Sequence, residues 1–167
     1  MLPYKEKVEL SEFPVKYFVS RSSENKLIEA HPHWHSAIEI LYVVSGKANQ
    51  QLGENIVKIE KGDIVIIWSN QFHSTCSVIK DYCEIAVLQF NADMFIQPFL
   101  NSELSDVQNL YFYDKIKTTS EIGNCLFDVL NQIITELKQK KEGCWFKICG
   151  AIYLLIGEIL RNKSLLP

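Results

Sequence analysis

The sequence has little basic charge, no paired-cysteine spacing and no long apolar run, and each shortage argues against a class of function. Lys and Arg number 17 against 20 Asp and Glu, which gives a formal net charge of −3 and a pI near 5.8. Direct nucleic-acid binding by this chain would call for a basic face. The only dense basic cluster, Lys138-Gln139-Lys140-Lys141, sits at the end of a helical pattern, where the helix dipole favours cations. The five cysteines, Cys76, Cys83, Cys125, Cys144 and Cys149, are odd in number, irregularly spaced and contain no CxxC. That argues against a disulfide framework or zinc ribbon and for reduced thiols in cytosol. Residues Met1 to Glu6 lack the apolar core of a signal peptide. The run Ala151 to Ile156 is far too short to span a bilayer. The expectation is a cytoplasmic protein without a membrane partner, free of internal repeats and low-complexity segments.

What is present divides into two periods. Hydrophobic residues make up 47% of 167 positions, ample for one domain or a domain with a helical annex. In the first half, Tyr17 to Val19, Ile38 to Val44, Ile56 to Ile59, Ile64 to Trp68 and Ile85 to Phe90 are short apolar or alternating runs. Turn residues separate them at Ser45-Gly46, Gly53-Glu54-Asn55, Lys61-Gly62-Asp63 and Ser69-Asn70. This is the pattern of an antiparallel sandwich or barrel. From Glu121 onward Ile122, Leu126, Val129, Leu130, Ile133, Ile134 and Leu137 recur at helical spacing. Thr118 with Glu121 fits a capping box, and Gly143 stands where a stop signal belongs. A second helix is expected from about Cys144 to Arg161. Residues 93–119, between the halves, fit a short helix and loops. The expected division is a β-domain over 1–119 and a helical pair over 120–167.

The second helix is apolar around most of its circumference, with only Lys147, Glu158 and Arg161 marking a polar stripe. A surface helix needs one apolar face, and each large side chain left bare forgoes roughly 1.5–3 kcal/mol of burial. Two burial partners follow: the chain's own body, and a second surface, read as self-association into a homodimer.

Three of the four histidines fall within five residues, His31, His33 and His35, and Glu39 follows. On a regular strand His33, His35 and Glu39 share parity and project to one side. Two imidazoles and a carboxylate are a ligand set for iron, manganese, nickel or zinc. His73, on a neighbouring strand, is the one further histidine able to complete it. The competing reading is a buried polar cluster that needs no metal if one imidazole is protonated. His31, before Pro32, reads as a strand-entry residue.

These residues carry a resemblance to the cupin superfamily, whose first motif is commonly written G-x5-H-x-H-x3,4-E-x6-G. Here His33, His35, Glu39 and Gly46 match, and Leu27 stands at the leading glycine. In the second motif, G-x5-P-x-G-x2-H-x3-N, Gly62 and His73 match, while Trp68, Asn70 and Ser77 replace the proline, second glycine and asparagine. The resemblance implies a mainly β, cupin-like (double-stranded β-helix or jelly-roll) barrel, followed here by two C-terminal helices. It implies tentative metal ligands at His33, His35, Glu39 and His73 for zinc, nickel, manganese or iron.

Over most of its length, including "KGDIVII" and "EGCWFKICGAIYLLIGEILR", the sequence also resembles the N-terminal half of AraC-type transcriptional regulators. That resemblance implies a barrel binding a small effector, with His33, His35, Glu39, His73, Trp68 and Gln89 as contacts. It implies dimerisation through the helices, and DNA binding only through a C-terminal helix-turn-helix domain that would follow Pro167. Tyr4, Tyr17 and Phe18 are candidates for a flap over the barrel or, equally, for a simple edge strand. The expectation is a non-enzymatic sensor. The alternatives are a small metal-dependent cupin enzyme, a dioxygenase or isomerase, and a purely structural dimerisation module whose barrel has no internal volume.

Overall fold

β-Branched runs separated by glycine turns build two five-stranded sheets, and two long amphipathic helices follow them. In the computed structural model, residues 4–8, 13–23, 26–78, 82–96 and 113–162 are described. The strands are β1 (Tyr4–Lys5), β2 (Val15–Arg21), β3 (Glu29–Trp34), β4 (Ala37–Ser45), β5 (Lys47–Leu52), β6 (Asn55–Glu60), β7 (Asp63–Ile67), β8 (His73–Ser77), β9 (Glu84–Asn91) and β10 (Tyr113–Lys117). The helices are α1 (Ala92–Ile96), α2 (Glu121–Gln139) and α3 (Cys144–Asn162). One sheet has the order β1-β3-β8-β5-β6 and the other β10-β7-β4-β9-β2. The fold is therefore a mainly β, cupin-like barrel followed by two C-terminal helices.

The chain divides into two compact units, residues 1–115 and 116–167. Within the first, Leu41, Val43, Ala48, Leu52, Ile59, Val65, Ile67, Ile85 and Val87 form a buried apolar cluster, with Phe18 and Val57 packed on it. Strand β7 is buried at every position, which is why its sequence, DIVII, reads as continuous apolar rather than alternating.

Three local features set the register. Gly46, in the turn from β4 to β5, has φ +76°, and a Cβ there would lie 1.9 Å from the Tyr82 carbonyl oxygen. Only glycine meets both conditions. Asn70, at the position of the second motif's missing glycine, itself adopts φ +62°. Asparagine tolerates that left-handed conformation better than other non-glycine residues, so the turn survives the substitution. The third is Pro32: the pairing of β3 with β8 slips between Ala30 and His33, and proline has no N–H to give the ladder.

Two local expectations need correction. The cap of α2 is Ser120, whose Oγ accepts from the Gly123 N–H at 3.1 Å, and not Thr118. The helix ends at Lys140 in the left-handed conformation, three residues before Gly143. Of the intervening stretch, 97–112 lies outside the described residues; α1 and β10 flank it.

In the helical unit, α2 packs against α3. It buries Leu126, Leu130 and Ile133, and Glu136 accepts from Lys147 Nζ at 2.7 Å. Helix α3 buries Ile148, Ala151, Ile152, Leu155, Ile156 and Ile159. It leaves Phe146 at 86% and Leu154 at 60% exposure, with Trp145 and Tyr153 also exposed. Gly150 and Gly157 have nothing within 4 Å of where a Cβ would stand.

Candidate functional site

The residues that the parity argument grouped do lie together, but through a different geometry. His33, His35 and Glu39 do not share one strand. His33 is on β3, the chain turns a corner at His35 and Ser36, and Glu39 is on β4 of the other sheet. They converge because each faces the space between the sheets. His73 begins β8 and is the register partner of His33. Gln89 on β9 is the register partner of Glu39.

All three cluster histidines are turned the same way. His33 Nδ1 lies 2.6 Å from the His31 carbonyl, His35 Nδ1 3.0 Å from that of Ala37, and His73 Nδ1 2.8 Å from that of Gln71. A carbonyl only accepts, so each Nδ1 carries the proton and each Nε2 is left to face inward. These donor atoms lie within 4.8 Å of one another, and all three side chains are buried.

Glu39 completes the cluster. Its Oε2 accepts from Gln89 Nε2 at 2.6 Å and lies 3.3 Å from His35 Nε2, while Oε1 is 3.7 Å from His73 Nε2. Burial pushes Glu39 up, but the hydrogen bond from His35, the charge interactions with His73 and His35, and the hydrogen bond from Gln89 together outweigh this and hold the carboxyl below the ordinary range. Burial pushes His35 down, and the bond to Glu39 with its charge reverses the sign and leaves it raised. His73 is pushed down to about 4, chiefly by burial, although Glu39 pulls the other way.

This arrangement fits a divalent transition metal. Three anchored imidazoles form the donor cluster, the Glu39 carboxylate lies within 3.7 Å of the Nε2 atoms of His35 and His73, and His73 Nε2 has no hydrogen bond. The backbone carbonyls supply the outer support that fixes ring orientation and tautomer.

A cavity of about 300 Å³ opens beside the cluster. Phe18, Ile28, Leu41, Ile85 and Val87 give it apolar walls, and His33, Glu39, Gln89, Thr75 and Ser20 give it a polar side. Gln89 is fixed by its amide N–H on Glu39, so its Oε1 is a buried acceptor without a partner. The Thr75 hydroxyl donates to Gln50 Oε1 at 2.7 Å, leaving its oxygen to accept. Among the described lining residues there is no Lys or Arg.

Of the residues expected from sequence, His33, His35, Glu39, His73 and Gln89 come together. Trp68, following β7, is buried and does not line the cavity. Tyr4 and Phe18 line it and Tyr17 does not. His31, read as a strand-entry residue, stands exposed among the lining residues. Glu6, Thr75 and the apolar wall residues other than Phe18 were missed. Glu6 reaches the site through a two-residue strand, for which the sequence offers no periodic signal.

Comparison with known proteins bears mainly on the fold. Residues 26–81, about a third of the chain, match the family model described as "Cupin domain". No curated protein sequence matches. Among solved structures, the chain is similar to unsaturated fatty acid-bound ToxT from Vibrio cholerae strain SCE256. The TM-score is 0.54 at 15% identity, over 83% of this chain and 52% of that one. A second ToxT structure from Vibrio cholerae gives 0.49 at 18% identity, over 70% and 47%. Oxalate decarboxylase of Bacillus subtilis, studied for its Mn(II) centres, gives 0.40 at 17%, over 48% and 22%. The chain thus spans about half the length of the ToxT chains. Among the described residues, no helix is long and apolar enough to cross a membrane.

Proposed function

We propose that this chain is the effector-sensing and dimerisation part of an AraC-type transcriptional regulator, with DNA binding carried by a further domain of the whole protein. The observation that carries the reading is the cavity of about 300 Å³ beside the His33/His35/Glu39/His73 cluster, apolar on one side and acceptor-rich on the other. Convergent polar groups in an otherwise apolar hollow are the usual form of a small-molecule site. An internal cavity also weighs against a purely structural module. The volume is at the lower end for such sites, so the effector is compact, about the size of a single ring. ToxT, the fold neighbour at a TM-score of 0.54, was solved with an unsaturated fatty acid bound, which supports a ligand-holding role for this architecture. The five unpaired cysteines accord with a cytoplasmic setting.

His33, His35, Glu39 and His73 would hold a zinc, nickel, manganese or iron ion, which would supply a positive charge favourable to an oxygen-bearing effector. Gln89 orients Glu39 and offers its free acceptor to a hydroxyl or amine of the effector. Thr75 does the same through its oxygen. Helix α3 provides the self-association surface. Phe146, Tyr153 and Leu154 are exposed on it, and Gly150 and Gly157 leave room for close approach of a second helix.

The test is a thermal-shift screen of the full chain with compact hydroxylated and aromatic compounds, with and without Mn²⁺ or Zn²⁺. A hit should lose its effect in Leu41→Trp, which fills the cavity. Hits that persist in the filled variant, or none at all, refute the reading. A second reading, a metal-dependent cupin enzyme, is favoured by the three-histidine, one-carboxylate donor set. Stoichiometric iron with oxygen consumption on a candidate substrate would select it.

A further inference from the structure

The N-terminal segment brings a second carboxylate to the cluster. Strand β1 runs parallel to β3 with Tyr4 opposite His33, the Tyr4 ring lies 5.9 Å from that imidazole at 28°, and the Glu6 N–H donates to the Trp34 carbonyl at 2.9 Å. These contacts fix Glu6 at the cavity, where its Oε2 stands 3.1 Å from His33 Nε2. We propose that Glu6 is a further ligand of the divalent metal held by His33, His35, Glu39 and His73, so that metal occupancy fastens residues 4–8 over the cavity. The proposal rests on the metal-binding reading above.

Two observations carry it. The first is that Glu6 stands to His33 as Glu39 stands to His35. In each pair the imidazole's Nδ1 is committed to a backbone carbonyl, and its Nε2 faces a carboxylate oxygen at 3.1 or 3.3 Å. A cation placed between them would satisfy both the imidazole nitrogen and the carboxylate oxygen of each pair. The second is charge. A divalent ion on three neutral imidazoles and one carboxylate keeps a net positive charge in a buried site, and a second carboxylate cancels it. Glu6 is 40% exposed, so it gives up less hydration on binding than a fully solvated carboxylate brought into the interior.

Isothermal titration of the full chain with Mn²⁺ or Zn²⁺ should show Glu6→Gln weakening binding at least 10-fold, a loss typical of residues supporting a metal site. Glu6→Asp should recover part of it. Hydrogen exchange at the amides of residues 4–8 should slow on metal addition in the wild type and not in Glu6→Gln. A Glu6→Gln variant with wild-type metal affinity, even if less stable without metal, would overturn the proposal. So would exchange at 4–8 that ignores the metal. A wild-type chain that binds neither ion would overturn it together with the metal reading, whereas intact wild-type binding with an unaffected variant overturns this assignment alone.

Discussion

Replacing Glu39 by glutamine isolates the electrostatic heart of the site. The substitution keeps the shape of a buried side chain, and the introduced amide oxygen can still accept from Gln89. What is lost is the charge that holds His35 protonated. A buried hydrogen bond to a charged group is worth about 1.5–3 kcal/mol. The orphaned imidazole can shed its proton rather than remain an unpaired ion, so the cost is about 2 kcal/mol and not the larger penalty of a stranded charge.

The sign with pH follows from both partners. His35 is raised in the folded state, so its contribution is complete below its ordinary 6.5 and is lost as pH rises through its folded value. Glu39 is lowered, so its contribution is complete above its ordinary 4.5 and is lost as pH falls through its folded value. The pair therefore contributes most between those two ordinary values. Urea denaturation of metal-free wild type and Glu39→Gln should give the largest difference at about pH 5.5 and a smaller one at about pH 8.5. Equal differences at the two pH values, or none at the lower, would show that no His35–Glu39 ion pair exists.

Gly46→Ala should cost at least about 2 kcal/mol in denaturant unfolding, because the new methyl meets the backbone of Tyr82 and Cys83 at a positive φ; a change within 0.5 kcal/mol would contradict the close approach. Leu154→Glu should convert a dimer to a monomer by light scattering, since the side chain is 60% exposed on α3. Gly157→Ala, a methyl added in open space, should strengthen the helix by up to about 1 kcal/mol yet weaken association; unchanged mass in both variants would remove α3 as the interface. Metal affinity, read by titration in buffers of falling pH, should drop first as a proton competes for His35, whose pKa is raised, and again as His73 takes one up at about 4, and affinity flat across that range would exclude imidazole ligation.

The strands legible in the sequence are those rich in isoleucine and valine: β2, β4, β6, β7 and β9. Strand β5 carries no apolar signal, and β3 and β8 are expected only through their histidines; all three have polar residues on their inward faces. Strand β5 reads KANQQL, yet it alternates, burying Ala48, Gln50 and Leu52. Strand β8 reads HSTCS and buries His73, Thr75 and Ser77. Pattern reading depends on apolar residues facing in, and here the interior of these strands is where the hydrogen-bonding chemistry lies. The same cause explains the mixed outcome at the site. Gln89, named through the regulator resemblance, lies in the cluster. Trp68, named in the same way, is buried and does not line the cavity. The Ser120 cap was passed over because Thr118 with Glu121 satisfied the same motif two residues earlier.

The placement of the cluster bears on how a ligand could be sensed. His33 and His73 belong to one sheet, Glu39 and Gln89 to the other, and His35 sits at the corner joining them. A bound metal or effector that engages both sides ties the two sheets together, so part of its binding free energy goes into fixing their separation. A ligand shifts a conformational equilibrium only by its differential affinity for the two states. A site confined to one sheet would be nearly indifferent to that separation, whereas this one is sensitive to it through Glu39, whose carboxylate lies within 3.7 Å of histidines on the corner and on the opposite sheet. Gln89 fixes that carboxylate through a 2.6 Å hydrogen bond while keeping its own oxygen open. An effector that donates to Gln89 Oε1 therefore acts one bond away from the group that joins the two sheets. On the sensing role proposed above, that connection, more than the presence of a hollow, is what would let the barrel report occupancy.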